Sequence, residues 1–381
     1  MSNTFTSLIP AAVEALDIVS RELVGMIPAV YRDSSAERAA VGQSIVFPVV
    51  AARTAVATTP AAYGPTTVDT SAPGTAISIS KSYAVPFYLT GEETKGTGQT
   101  VAKNAFLTGV IAQCMRTLCN LIEVDLATCG KEGASRAYGT AGTAPFGSAA
   151  DLSDTAGVAL ILDDNGAPIS DRQLVLNNAA MNNLRAKQSN LVNSGPDLLR
   201  RGILTQLGGF DIHQSGGLTK HTIGTGSAYA VNLTAGYAIG KTAIAVDTGS
   251  NTILKGDIIT NTKTGRDTNK YVSATDGTTT LLTLAQPGLK VAWVNNDTIA
   301  IGAAYTPNLA FSRQAIWLAT RAPAMPDGGD AATDSTMLVD PVSGLAFEMR
   351  EYRQYHQVAW EIGIAWGYSV IKSEHIAILL G

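Results

Sequence analysis

The sequence predicts an α+β protein, and three observations predict it. Residues 100–128 read as one helix of unusual length, strand-like runs lie on both sides of it, and residues 219–304 hold short strands separated by Thr- and Gly-rich turns. In the first stretch, TVAKNAFLTGVIAQCMRTLCNLIEVDLAT, apolar or small side chains recur at steps of four and three: Val101, Ala105, Thr108, Ala112, Met115, Cys119, Ile122 and Leu126. That spacing lines one face of an α-helix. A second line, Phe106, Leu107, Val110, Ile111, Cys114, Leu118 and Leu121, widens the stripe, which leaves Lys103, Asn104, Gln113, Arg116, Asn120 and Glu123 for the wetter side. Thr97 or Thr100 suits the cap at its start, and Gly130 suits a left-handed stop. At 1.5 Å per residue the helix is about 40 Å long, a spine across which the other segments must lie.

Composition narrows the class. The 381 residues are 45% hydrophobic, enough for a large core and for two or three domains. Only 15% are charged, against about 25% in a typical soluble domain. A surface so poor in charge is expected to be covered by something else. The net charge of −4 argues against a protein held to nucleic acid by a dense basic face. Any contact with DNA is expected to be weak and non-specific. The three cysteines, Cys114, Cys119 and Cys129, form no CxxC pair and have no histidine at ligand spacing, so buried thiols in a reduced compartment are expected. The start of the chain lacks a basic, continuously apolar signal, and no run of 18 apolar residues occurs, so no membrane association is expected.

Taken in order, residues 10–24 read as a short amphipathic helix, with Pro10 in its first turn, Asp17 and Arg21 one turn apart, and Gly25 at its end. Residues 41–90 read as a long two-stranded ribbon, SIVFPVVAA and AISISKSYAVPFYLT, joined by a polar tract with Pro60, Pro65 and Pro73. Such a ribbon is unstable alone and needs a neighbour. After the spine, residues 130–150 read as a flexible connector. Asp151 or Ser153 suits the cap of a helix that ends in the turn DDNGAP, DRQLVLN reads as a strand, AMNNLRAKQSNLV and SGPDLLRRGILTQL as helices, and GGFDIHQSGGL as a strand between paired glycines. In residues 219–304 Glu is absent, and AYAVNL, TAIAV, DIIT, KYVSA, TTLLTL and DTIAIG recur between turn signals at the spacing of a small β-barrel or sandwich. PNLAFSRQAIWLATRAP reads as helix or strand. In VAWEIGIAWGY, Val358, Trp360, Ile362, Ile364 and Trp366 share one face of a strand; GLAFEMREYRQYHQ before it and HIAILLG after it are further strands.

No catalytic, cofactor-binding or metal-ligating set emerges. Ala235 to Thr242, AGYAIGKT, fits a relaxed phosphate-loop pattern, but that loop needs a helix after it. The alternating TAIAV that follows predicts a hairpin turn. His213, His221, His356 and His375 are scattered, with solvated or hydrogen-bonded roles expected. Glu92 and Glu93 are adjacent and would face opposite ways in a strand, so they make no acid–base pair.

In this order, ALDIVSRELVGMIPAVYRD, the ribbon ending in YLTGEE, the spine, LILDDNGAPISDRQLVLN, LLRRGILTQLGGFDIHQS, ILKGDIIT and DPVSGLAFEMREY resemble the major capsid (coat) proteins of tailed double-stranded DNA bacteriophages, in particular the short-tailed-phage coat family with an insertion domain. The resemblance covers nearly the whole chain and lies in order and spacing rather than in one motif. It implies the tailed-phage major capsid (HK97-like) fold: an N-terminal arm at 1–40, an extended loop or β-ribbon at 41–92, a peripheral domain with the spine at 93–150, an axial α/β domain at 151–218, an inserted antiparallel β-barrel domain at 219–305, and a return to the axial and peripheral domains at 306–381. It further implies self-assembly as pentamers and hexamers into an icosahedral shell around phage DNA, with assembly in the host cytoplasm and residence in the virion. Scaffolding and portal proteins are the expected partners, with a decoration protein left open. The resemblance makes Glu14 and Asp17 candidates for holding a basic scaffolding segment, and Arg266 and Asp267, in the hairpin TNTKTGRDTNK, candidates for bridging capsomers. It also places Lys81 in the ribbon where some capsids are cross-linked. A phage-derived encapsulating shell and a secreted surface-layer or adhesin-type protein are the alternatives.

Overall fold

The computed structural model of the chain describes residues 14–15, 24–48, 55, 74–96, 100–148, 152–187, 206–263, 265–339 and 345–381. The chain enters through a helical turn, α1 (Met26–Ala29), and a strand, β1 (Tyr31–Ala39), then β2 (Ser44–Pro48), β3 (Gly74–Ser78) and β4 (Lys81–Thr90). A short helix, α2 (Gly91–Gly96), precedes the spine, α3 (Thr100–Glu132). Next come β5 (Arg136–Tyr138), α4 (Ser153–Asp164), β6 (Arg172–Leu176), α5 (Asn178–Ala186), β7 (Gln206–Leu207) and β8 (Phe210–Gln214). Six short strands follow: β9 (Tyr229–Val231), β10 (Ala243–Asp247), β11 (Ile258–Asn261), β12 (Lys270–Val272), β13 (Leu281–Thr283) and β14 (Thr298–Ile301). The chain closes with β15 (Pro307–Ser312), β16 (Ile316–Pro323), β17 (Asp334–Val339), β18 (Ala346–Gln354), β19 (Gln357–Val370) and β20 (Ile376–Leu380).

The strongest alternating pattern in the sequence becomes the longest strand. On β19, Trp360, Ile362, Ile364 and Trp366 are buried as their spacing predicts, and the strand is long enough to take different partners along one edge. β18 pairs with residues 357–363, β16 with residues 365–370, and β4 runs antiparallel along the opposite edge. The resulting sheet has the order β1-β16-β19-β18-β17, with β4 off that path. Helix α3 lies across β4 and β19. Its predicted inner stripe is buried from Thr108 to Leu126, where Met115, Ile122 and Leu126 meet Ile362, Ile364 and Trp366 in one core.

A second sheet has the order β13-β10-β9-β14-β11-β12-β5-β20-β15-β6-β8-β7. Its β20, β15 and β6 are buried on both faces, hence their unbroken apolar runs. Within residues 219–304 the strands fall where the turn signals place them. Ser273 bridges to Leu284 just after β12 and β13, so the first and last of these six strands also meet. They enclose a core of their own, with Tyr229, Ile244, Tyr271, Leu282 and Trp293 at its centre.

Several expectations are corrected. The spine does not stop at Gly130 but runs to Glu132. Gly130 is there for close approach, since a Cβ would stand 2.8 Å from Leu309 Cδ1 and 3.2 Å from Ile316 Cδ1. Phe106 and Leu121, expected in the buried stripe, face outward, and Glu123, expected on the wet side, is buried. Residues 130–150 are not a connector: Arg136 and Ala137 lie in β5, paired to β20 and β12, because the segment is taken up by two distant strands that its own sequence does not announce. The ribbon has partners within its own chain. β2 pairs with β3, whose Ile77 packs with Ile79 against Ala319 and Ala365, while the rest of the predicted second strand becomes β4 beside β19. Ser153 is the first residue of α4 rather than its cap, and Leu152 at the cap position makes no side-chain cap bond; Asp151 lies outside the described residues. Gln206 and Leu207, read as helical, pair as β7 with β8; residues 188–205 lie outside the description. Glu92 and Glu93 belong to α2, where Glu93 accepts from the Thr90 amide at 2.9 Å as a capping residue. The segment 307–323 is two strands. Gly25 stands at the start of α1, and of the helix read at 10–24 only Glu14 and Ala15 are described as helical.

Candidate assembly surfaces

Between residues 106 and 124 the solvent side of α3 is formed by Phe106, Gly109, Gln113, Thr117, Asn120, Leu121 and Val124. Phe106 is 50% exposed, Leu121 41% and Val124 39%. The stripe runs about 27 Å, some five turns, without a charged residue. A helix apolar on its inner face normally carries charges on the other, and one apolar all round belongs where both faces are covered. Beside the stripe a groove of about 520 Å³ runs between α3 and β4, lined by Val85, Pro86, Phe87, Phe106 and Val110 among others. Tyr83 and Tyr88 stand exposed on the same strand. Charge depletion with exposed aromatic side chains is the composition of an interface core rather than of free surface.

The helix is pinned in place beneath this face. Asp125 accepts from Lys81 Nζ at 2.7 Å and from Trp366 Nε1 at 2.9 Å, tying α3 to β4 and β19 through one carboxylate. The hydrogen bond to Asp125 raises the Lys81 pKa, outweighing partial burial, so its ammonium stays charged. Burial pushes the Cys129 thiol up to about 12 and raises that of Cys114 as well, which makes both poor nucleophiles.

Across the first sheet a buried charge ladder joins β1, β18 and the loop before β17. Glu348 accepts from Arg38 Nη1 at 3.0 Å and Arg350 Nη2 at 2.7 Å, and Arg350 Nη1 reaches Asp330 at 3.1 Å. Burial alone would raise the Glu348 pKa, but the two guanidinium groups overcome it and hold the carboxyl below its usual range.

The candidates named from sequence are dispersed. Glu14 accepts from Thr108 Oγ1 at 3.4 Å, on the opposite side of α3 from the exposed stripe, and Asp17 lies outside the described residues. Arg266 and Asp267 both take part in bonds within the chain. Arg266 Nε lies 3.2 Å from Asp297, and Asp267 accepts from Tyr271 Oη at 2.8 Å and Trp293 Nε1 at 3.0 Å. His213 is 2.8 Å from Gln173 and buried His221 2.9 Å from Asp257, in keeping with hydrogen-bonded roles. AGYAIGKT connects the antiparallel pair β9 and β10, with Tyr237 bridged to Trp293, and a strand rather than a helix follows it. Among the described residues no group of three or more His, Cys, Asp or Glu could hold a metal ion, and no helix is long and apolar enough to cross a membrane. The residues sequence reasoning missed are Phe106, Leu121, Val124 and Glu123. The signal for the first three was present in a helix whose two apolar lines leave too little polar surface for a free face.

No family model and no curated protein matches the chain. The solved structures similar to it are phage capsids and related particles. The capsid of the cyanophage P-SCSP1u is 12% identical, covering 92% of this chain and 86% of that one, with a TM-score of 0.49. The capsid of Ralstonia phage GP4 is 8% identical over 92% and 86%, at 0.46. The virus-like particle from Pyrococcus furiosus is 10% identical over 97% and 96%, at 0.40. Identities and TM-scores this low assign no role to any residue here.

Proposed function

We propose that this chain is the major capsid protein of a tailed double-stranded DNA bacteriophage, of the short-tailed kind with an insertion domain. In this reading its copies associate as pentamers and hexamers that close into an icosahedral shell around DNA, and the chain has no catalytic role. The observation that carries the reading is the charge-free outer stripe of α3 with its flanking groove, a surface about 27 Å long that water alone would cover poorly. The order of sequence segments supports it, as does the disposition of a long helix across a sheet that ends in a ribbon. Residues 219–305, with six strands around their own core, serve as the inserted barrel domain of an HK97-like fold.

Scaffolding and portal proteins are the partners of assembly, and contact with packaged DNA is weak given the net charge of −4. Glu14 and Asp17 remain the candidate scaffolding contact. Of the other pair, Arg266 has an outward-facing side chain and is the one to test between capsomers; Asp267 spends both oxygens within the chain. Electron microscopy and sedimentation of the full chain test the proposal. Closed shells or sheets of hexamers are expected. A chain that stays monomeric at its solubility limit, and also when co-expressed with its genomic neighbours, would refute it.

A further inference from the structure

Glu123 lies on the inner face of α3 and is 3% exposed, in a core with Leu118, Cys119, Ile122 and Leu126. Among the described residues no ion pair reaches it. Four hydrogen-bond donors do. Its Oε1 accepts from the amides of Gly25 at 2.7 Å and Met26 at 2.6 Å and from the Ser215 hydroxyl at 2.6 Å, while Oε2 accepts from the Ile27 amide at 3.1 Å. Successive amides at the start of a helical turn normally find a cap within one or two residues. Here the cap comes from a carboxylate 97 positions away from Met26.

The other end of the turn is held as well. Arg313 Nη1 donates to the Pro28 carbonyl at 3.0 Å, and its Nε is 2.9 Å from Asp171. A carboxylate at the amide end and a guanidinium at the carbonyl end match the sense of the turn's dipole. Gly25 passes through the gap because it lacks a side chain, since a Cβ there would stand 2.5 Å from the Gln214 carbonyl oxygen. Everything the chain does before residue 25 therefore leaves the body through this clip.

We propose that Glu123 is a releasable latch on the N-terminal segment. Closed, it fixes the direction in which residues before Gly25 leave the body; open, it lets them re-aim while β1 keeps its register beside β16. Glu123 is a positioning residue, acting through the amides it holds. Burial raises its pKa above the usual carboxylate range, and the amides and the Ser215 hydroxyl pull it partway back. Neither α1 nor the 214–217 turn carries a charged side chain; on α3 the charged residues around it are Arg116 two turns earlier and Asp125, which is bonded to Lys81 and Trp366. Beyond the turn, His213 on β8 is bonded to Gln173. A proton on Oε2, which takes only the longest bond, leaves the three short bonds on Oε1 intact. Release returns the carboxyl to an ordinary value of about 4.3. Protons therefore favour the closed latch, and its hold is lost as pH rises through the raised closed-state pKa.

Amide hydrogen exchange on the purified full chain tests this without reference to assembly, with rates corrected for the intrinsic pH dependence of exchange. Peptides covering 24–30 should open several-fold more at pH 8 than at pH 5, while peptides covering 360–366 do not change. Glu123→Gln keeps the shape but places an amine against the donors, so it should open 24–30 at every pH and abolish the pH dependence. Ser215→Ala removes one donor and should raise opening about tenfold with the pH profile retained. Should Glu123→Gln fail to fold, Ser215→Ala and the wild-type profile decide. A wild-type profile flat in pH, or 24–30 opening only together with 360–366 in each folded protein, would overturn the latch.

Discussion

The spine-and-sheet body and the six strands of residues 219–304 are held by different means. In the body, large side chains from distant parts of the sequence meet: Met26 and Ile27 from the chain entry, Met115 and Ile122 from α3, Trp360 and Trp366 from β19. In the six-stranded region no strand exceeds five residues, and buried aspartates fasten the turns. Asp257, fully buried, accepts from the amides of Gly224 at 3.0 Å and Leu254 at 2.8 Å and from His221. Asp297 accepts from the Val294 amide at 2.9 Å and Asn261 Nδ2 at 3.0 Å. A long-range core makes one rigid platform, whereas turn-by-turn fastening makes a unit whose parts are fixed locally. The first suits a shell wall and the second an appended module.

The comparison can be broken from either side. Trp366→Ala empties the contact between β19 and α3 and frees Asp125 from one donor, so a loss of about 3–5 kcal/mol is expected by denaturant titration, with all probes shifting together. Asp297→Ala strands the Val294 amide and Arg266, and about 3 kcal/mol is expected. Its exchange signature should stay within 219–304 if that region is fastened locally; loss of protection throughout the body would erase the distinction.

Acid should act on the body through the charge ladder. The Glu348 pKa is lowered in the fold, so its contribution is complete above the ordinary glutamate value of about 4.3 and disappears as pH falls through the lower folded value. Glu348→Gln should flatten the stability profile below that pH and leave the profile of 219–304 unchanged. The smallest effect on stability belongs to the outer stripe. Phe106→Asp with Val124→Asp should change the melting of the isolated subunit by less than about 1 kcal/mol, because both side chains already face water. Particle formation, followed by sedimentation, should nonetheless be lost.

What could be read in the sequence follows the same division. The strands of residues 219–304 were legible because each is bounded by its own Gly, Asn or Asp turn and pairs with a near neighbour. The spine and β19 were legible because their periods run uninterrupted for many residues. The pairing of β5 with β20 and β12, and of β4 with β19, was not, since three residues of Arg-Ala-Tyr carry no period and partner choice is made by strands more than 130 positions away. Glu123 was misplaced because helical spacing reports the face of a residue but not the amides that can satisfy a buried carboxylate there. For the assembly surface, the helix was found and its outer side misassigned: Phe106 and Leu121 were read as core, since sequence alone does not separate apolar residues buried within a chain from those buried between chains.

The central claim is that another copy of the chain covers the outer face of α3. Thiol labelling at Thr117→Cys tests it most directly, because Thr117 is exposed in the middle of the stripe and Cys114, Cys119 and Cys129 are buried or inert. The account predicts rapid maleimide labelling of the isolated subunit and at least tenfold slower labelling in assembled particles. Equal labelling in both states would mean that the stripe is not an interface, and the assembly reading would lose the observation on which it stands.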